Sequence, residues 1–277
     1  MGGHAAANFR DQDHRLTMRI FVDAICKYCV AHGIACEVKS QGWLIVMQRG
    51  ELRRFAFGYD IGLNSAMAHR IANDKSATAD VLALCGVAAV PHTMFLSPKL
   101  GKHVASDESS EAMHALLRGH PNGLVVKPNE GTSGRFIFKV GSEEELARVT
   151  DAIFASHLSL AISPFVEIAD EVRVILLDGS PLVVYSKQRV SDWRHNLDFG
   201  ARPILLESGD ARAACIEIAI KAARAIGIRF ASIDIVRVER SWKVLEINSG
   251  VMMEALGKLH PELVYAAYNA ALDKVFE

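Results

Sequence analysis

The sequence predicts an α+β protein, and three observations carry that expectation. Short runs read as strands, alternating over 136–140 and rich in Ile, Val and Leu over 230–238 and 242–248. Helical periodicity with start and stop residues occupies the stretches between them. Neighbouring strands are joined by short polar turns such as Glu239-Arg240-Ser241, as hairpins are, so helices are expected to lie on one face of antiparallel sheets.

In order, a helix over 18–31 leads to β-like runs at 34–38, 43–47 and 53–57. A helical segment over 64–73 precedes a second over 76–85, opened by Ser76 and stopped by Gly86. The run 124–126 is a short, wholly apolar strand that ends at Lys127-Pro128, and 136–140 alternates like a returning strand. Glu143, Glu144 and Glu145 open a helix over 142–156, where the helix dipole favours acids. Strands are expected at 160–166, 171–177 and 182–186, then a helix over 211–226 and the hairpin at 230–248.

The chain has 277 residues, half of them hydrophobic, which is enough for one compact body or a few small subdomains. Its 31 basic and 32 acidic residues leave a net charge of −1, so no electrostatic feature favours nucleic acid or a membrane surface. No apolar run approaches the roughly 20 residues that span a bilayer. The polar start lacks a signal-peptide core, and Ala6 fails the myristoylation pattern. Five cysteines read as reduced thiols of a cytoplasmic protein. Cys26 and Cys29 form a C-x-x-C near His32 and Cys36, yet no second ligand pair follows at zinc-finger spacing.

Three groups of residues can do chemistry. Glu246 and Asn248 lie two apart on a strand and share a face, with Asp234 on the strand before. Oxygens on an otherwise apolar framework need a cation or donors, and two carboxylates with an amide form a hard set suited to Mg²⁺. A polar face of an amphipathic hairpin is the alternative. Next, Lys127 precedes a loop with Gly131, Thr132, Ser133 and Gly134, whose N–H groups and hydroxyls can meet phosphate oxygens; an ordinary hairpin turn has the same composition. Last, the run 185–201 carries Lys187, Arg189, Arg194 and His195, able to neutralise phosphates or to be a solvated loop.

Taken together and in this order, the segments resemble the ATP-grasp superfamily. They look most like the branch of ribosomal-protein glutamate ligases and bacterial glutathione synthetase. The matching pieces are Asn73-Asp74-Lys75, Val125-Val126-Lys127-Pro128 with the loop to Gly134, Phe165-Val166-Glu167 with Glu171-Val172-Arg173-Val174, the run from Asp192 to Leu197, Ile233-Asp234-Ile235, and Leu245-Glu246-Ile247-Asn248. The resemblance spans about 61–256.

That resemblance implies a fold, an activity and a set of site residues. The implied fold holds the nucleotide between two α+β subdomains. Residues 1–90 form a reduced N-terminal α/β region, 91–166 the lid subdomain, and 167–277 the subdomain carrying the metal. By the same resemblance, Lys75 and Lys127 contact the ATP phosphates, and Gly131, Thr132, Ser133 and Gly134 form the lid over them. Pro164, Phe165 and Val166 form the adenine hinge, Lys187 reaches the adenine or α-phosphate, and Glu171 holds the ribose. Arg173, Arg189 and Asn196 surround the γ-phosphate and the reacting carboxylate. Asp234, Glu246 and Asn248 hold two Mg²⁺, with Mn²⁺ as an alternative. The activity implied is ligation of a small carboxylate to an amine, on an amino acid or small peptide, through an acyl phosphate. A nucleotide-binding regulatory protein and a kinase without ligation are the other readings. Ser163 stands where many members carry Glu or Gln, and Ser249-Gly250 where many have Pro-Gly. The short N-terminal region is compatible with a homodimer.

Overall fold

The computed structural model describes residues 19–103, 106–131, 136–188 and 201–277. The expectations for Thr132, Ser133, Gly134, Arg189 and Asn196 lie outside the described residues. The elements run α1 (Ile20–Ala31), β1 (Ala35–Lys39), β2 (Leu44–Arg49), β3 (Leu52–Phe57), α2 (Ala66–Asn73), α3 (Lys75–Leu84) and β4 (Thr93–Leu96). They continue with α4 (Ser106–Gly119), β5 (Leu124–Pro128), β6 (Phe138–Val140), α5 (Glu143–Phe154), β7 (Ser159–Pro164), β8 (Ile168–Leu177) and β9 (Ser180–Gln188). The last are β10 (Arg202–Leu205), α6 (Asp210–Ile226), β11 (Phe230–Val238), β12 (Ser241–Asn248), α7 (Glu254–Gly257) and α8 (Pro261–Phe276).

Strands between residues 168 and 248 build a five-stranded antiparallel sheet of order β10-β9-β8-β11-β12. Both faces are covered, which is why 174–177 is continuously apolar instead of alternating. Val172, Val174, Leu176, Ile233 and Ile235 pack against Ala219, Ala222 and Ala223 of α6, with Ala68, Ala72 and Leu82 of α2 and α3 in the same core. On the other face Ile175, Leu177, Val183 and Phe230 pack against α1 and α8 through Phe21, Ile25, Tyr268 and Leu272. The small sheet β1-β2-β3 is an antiparallel meander and adds Ile45, Met47 and Ala56 to this second core. The N-terminal region is thus built into the large sheet's packing.

A four-stranded antiparallel sheet of order β4-β7-β5-β6 carries α5 on one face around its own core, which includes Leu124, Val126, Leu146, Val149, Ile153 and Ile162. Gly123 sits before β5 at φ +90°, and a Cβ there would lie 2.5 Å from the Val140 carbonyl oxygen. Only glycine permits that approach. The Gly123 carbonyl in turn accepts the Phe165 N–H (2.9 Å), so this close contact ties β5 to the segment after β7.

One expected start residue is corrected. Asp74, not Ser76, caps α3, its Oδ1 accepting from Ala77 N–H at 2.8 Å. Two helices abut at Asp74, whose extended φ/ψ ends α2 and frees its side chain to open α3. Ser76 is buried instead and donates from both N–H (3.1 Å) and Oγ (2.9 Å) to Asn129 Oδ1. Asn129 Nδ2 donates to Asp74 Oδ2 at 2.6 Å, so this fully buried amide locks the helix bearing Lys75 to the strand bearing Lys127. Replacing Asn129 with Ala strands the Ser76 donors and one Asp74 oxygen. We expect a loss of about 2–3 kcal/mol in unfolding free energy, read from urea titration.

Candidate active site

The apolar face of β8, β9 and β11 that packs on α1 and α8 does not stay apolar. Residues two apart share a face, so Ile175 and Leu177 continue into Arg173 and Glu171, Val183 into Tyr185 and Lys187, and Phe230 into Ser232 and Asp234. The polar half of that face lines a cavity of about 620 Å³. The four-stranded sheet supplies the opposite wall, through Val125, Lys127 and Pro128 of β5 and the segment 163–166.

At the centre lie four charged side chains, all buried or nearly so. Asp234, 1% exposed, receives Arg173 Nε and Nη2 at 2.6 Å each, a bidentate pair. Lys187 Nζ stands 2.5 Å from Glu171 Oε1 and 2.9 Å from Asp234 Oδ2. The strand register sets this up, because Asp234 faces Arg173 directly across β11 and β8. Burial alone would raise the Asp234 pKa, but the charges of Arg173 and Lys187 outweigh it and hold the acid well below the ordinary range.

Glu246 faces Asp234 across the β11–β12 ladder, and Asn248 faces Ser232. A bulge makes this possible: Ile235 pairs with Val244, leaving Leu245 as the extra residue. The Asn248 amide donates weakly to Glu246 Oε1 at 3.4 Å. Glu246 and Asn248 line the cavity, and their oxygens fit a hard divalent cation. Both Asp234 oxygens, by contrast, are already held by Arg173. Asp234 would join a metal only by sharing an oxygen with Arg173 or Lys187. Among the described residues no three His, Cys, Asp or Glu side chains form a metal cluster, and the Glu–Asn pair is a different kind of set.

Lys127 and Lys75 enter from the other side. Lys127 is 5% exposed, and burial pushes its pKa down to about 8, only partly offset by Glu246. Lys75 is also lowered, first by burial, and its Nζ donates to the Gly131 carbonyl at 2.9 Å. Gly131 marks the rim, and Ser163, Pro164, Phe165 and Val166 line the far wall. The Phe165 N–H is spent on Gly123, and Lys139 Nζ lies 3.5 Å from the centre of the Phe165 ring.

Sequence reasoning missed Tyr185 and Ser232. Their hydroxyls are buried in the cavity wall with no hydrogen-bond partner among the described residues. Both could have been found by counting two residues back from Lys187 and Asp234 along the same face. It also missed a network beside Asn248. His69 Nδ1 lies 3.2 Å from Asp60 Oδ2 and 3.0 Å from Ser249 Oγ. Ser249 Oγ donates to Asn73 Oδ1 (3.2 Å), and Asn73 Nδ2 faces His69 Nε2 (3.0 Å). One tautomer, with the proton on Nδ1, satisfies all four contacts. The network ties α2 to the turn after Asn248. The cysteines lie elsewhere: Cys26 and Cys36 face each other at 3.7 Å between α1 and β1.

Burying Lys127 costs stability. Its folded pKa of about 8 lies below the ordinary 10.5, so the folded state disfavours the charged amine. That cost is fully present below pH 8 and disappears as pH rises to 10.5. Lys127→Met removes it. The variant's stability advantage, of order 3 kcal/mol at pH 7, should shrink between pH 8 and 10.5 in urea titrations of both proteins.

Known proteins resemble this chain in sequence or in fold. Two curated relatives are a probable alpha-L-glutamate ligase of Legionella pneumophila (strain Corby), 26% identical over 71% of this chain and 61% of its own, and the ribosomal protein bS6–L-glutamate ligase of Escherichia fergusonii, 29% identical over 75% and 65%. The chain therefore spans less than two thirds of the length of these relatives. Among solved structures, the D-alanine–D-alanine ligase of Bacillus anthracis complexed with ATP superposes with a TM-score of 0.59 at 19% identity, over 77% of this chain and 67% of that one. A bifunctional glutathione synthetase of Pasteurella multocida gives 0.53 at 14% identity, over 91% of this chain and 44% of that one. These likenesses show the fold. No described helix is long and apolar enough to cross a membrane. The RimK-like ATP-grasp domain model matches residues 72–261, and the chain belongs to that family.

Proposed function

We propose that this protein is an ATP-dependent carboxylate–amine ligase that forms an amide or peptide bond through an acyl phosphate and releases ADP and phosphate. One observation carries the reading: Lys75, Lys127, Glu246, Asn248 and the segment 163–166 arrive from separate parts of the chain at one cavity. The relatives named as glutamate ligases support the same class. An amino acid or small peptide is the expected substrate, and a homodimer working in the cytoplasm is the expected setting.

In this reading the Pro164 carbonyl and the Val166 N–H address the adenine edge, since the Phe165 N–H is already used. Lys75 and Lys127 neutralise phosphate oxygens, and arrival of a polyanion returns Lys127 to its charged form. Glu246 and Asn248 would hold Mg²⁺, and Asp234 would join them only by sharing an oxygen with Arg173 or Lys187. Glu246 would also be the residue to hold a second ion, and Mn²⁺ would suit the same hard oxygen set. The metal, when bound, offsets charge on the transferring phosphoryl group. Arg173, fixed by Asp234, presents a guanidinium edge towards the reacting carboxylate and the oxyanion formed on amine attack. Arg189 and Asn196 complete that group, and Glu171 with Lys187 hold the ribose and the adjoining phosphate. Gly131 with Thr132, Ser133 and Gly134 closes over the phosphates and keeps water from the acyl phosphate.

The test is ADP release with ATP and Mg²⁺ against pools of amino acids and dipeptides. Wild type should release ADP only with a substrate pair, and hydroxylamine should trap the activated acid as a hydroxamate. Glu246→Ala should abolish release, by at least about a thousandfold, with an unchanged urea midpoint. Normal turnover by that variant contradicts the assignment. A stable phosphate ester in place of the hydroxamate identifies a kinase instead.

A further inference from the structure

The cavity extends past Asn248 to an end that the nucleotide does not need. We propose that this end is the acceptor subsite, and that it takes an amine carrying a flat apolar body. The proposal rests on the ligase reading and adds a substrate class to it.

The walls are aromatic. Trp43 and Phe57 line the cavity while remaining 52% and 64% exposed, with ring centroids 6.4 Å apart and planes tilted by 50°. Large aromatic rings left this open cost solvation that a flat ligand would recover. They are also held in place. The Gly58 N–H donates to the Trp43 carbonyl at 2.9 Å, and a Cβ on Gly58 would lie 3.2 Å from the indole, so the ring rests directly on that glycine. The Arg19 guanidinium stacks 4.7 Å from the Trp43 ring and 4.8 Å from the Tyr59 ring, while donating to the carbonyls of Gly58 and Gly42. Such a wall is preorganised, which lowers the entropy lost on binding.

The charged side chains that line the cavity at this end are the acids Asp60 and Glu254, while Arg19, which holds the aromatic wall, is not among the lining residues. Glu254 accepts from Tyr59 Oη (3.1 Å) and from the Ile20 N–H (3.0 Å). Asp60 accepts from the Gly62 N–H at 2.8 Å and holds His69. Both carboxylates line the cavity, and neither is matched by a lysine or arginine ion pair among the described residues. The lysines and arginine lining the cavity among the described residues are Lys75, Lys127, Arg173 and Lys187, which belong to the phosphate end. An ammonium group is favoured between these acids, whereas the side-chain carboxylate of an acidic amino acid is not.

The test uses the full chain with Mg²⁺ and AMP-PNP. Calorimetry measures binding of phenethylamine, L-phenylalanine, 2-phenylethanol, glycine and L-glutamate. Phenethylamine and phenylalanine should bind at least about tenfold tighter than glycine or glutamate, and phenylethanol should lose about fivefold for want of the ammonium. Trp43→Ala and Phe57→Ala should each weaken phenylalanine binding about tenfold, with AMP-PNP affinity unchanged. Equal or tighter binding of glutamate overturns the assignment, as does an unaltered phenylalanine affinity in both variants. ADP formation in parallel ATP mixtures tests the ligase reading separately. Binding with no ADP formation when each amine is paired with the pools of amino acids and dipeptides sinks that reading and leaves a binding site for flat ammonium ligands standing.

Discussion

The buried quartet of Asp234, Arg173, Lys187 and Glu171 constrains everything around it. Each charge taken from water costs several kcal/mol, by order of magnitude, unless partners replace the solvent. Two acids and two bases cancel, and the bidentate Arg173–Asp234 pair with Lys187 bridging both acids leaves the pairs at 2.5–2.9 Å. That geometry exists only in the observed register of β8, β9 and β11. A slip of one residue would turn every one of these side chains into the α6 core. Because the quartet is neutral, the field in the cavity comes from the other charged residues that line it, Lys75 and Lys127 against Glu246, Glu130, Asp60 and Glu254.

One sheet face therefore does two jobs. Its lower half, Ile175, Leu177 and Phe230, holds α1 and α8, and its upper half is the floor of the candidate site. Packing of the lower half is what stiffens the upper. The roof is tied down independently, by Asn129 between α3 and β5 and by Gly123 between β5 and the hinge segment. The bulge at Leu245 turns Glu246 and Asn248 onto the cavity side. The ring of His69, Asn73, Ser249 and Asp60 anchors the turn that follows. A chain with Ser249-Gly250 at this turn holds it with side chains rather than with a proline.

Legibility in the sequence tracks local pattern. Strands rich in Ile, Val and Leu and joined by a short polar turn, β11 and β12, and helices with a start and stop, α5 and α6, are readable within a residue or two. β4 and β10 are four-residue strands at sheet edges, too short to show a period, and α8 is buried widely enough to blur its apolar stripe. The cap of α3 escapes a local rule because two helices share Asp74. In the site, Glu246 and Asn248 stand out as oxygens on an apolar strand. The pairing of Asp234 with Arg173 and Lys187 does not, since it joins residues 61 and 47 positions apart that only the sheet brings together. The aromatic wall is equally hidden: Trp43 and Phe57 read as ordinary strand residues until the meander turns them towards the cavity.

The central claim is that this cavity binds MgATP with adenine against 163–166 and the metal on Glu246 and Asn248. A crystal structure of the chain with Mg²⁺ and AMP-PNP tests it most directly. The account predicts the adenine edge at Pro164 and Val166, phosphates between Lys75 and Lys127, and a Mg²⁺ ion on Glu246 and Asn248 with Arg173 still paired to Asp234. A nucleotide bound elsewhere, or phosphates that leave both lysines untouched, would contradict it.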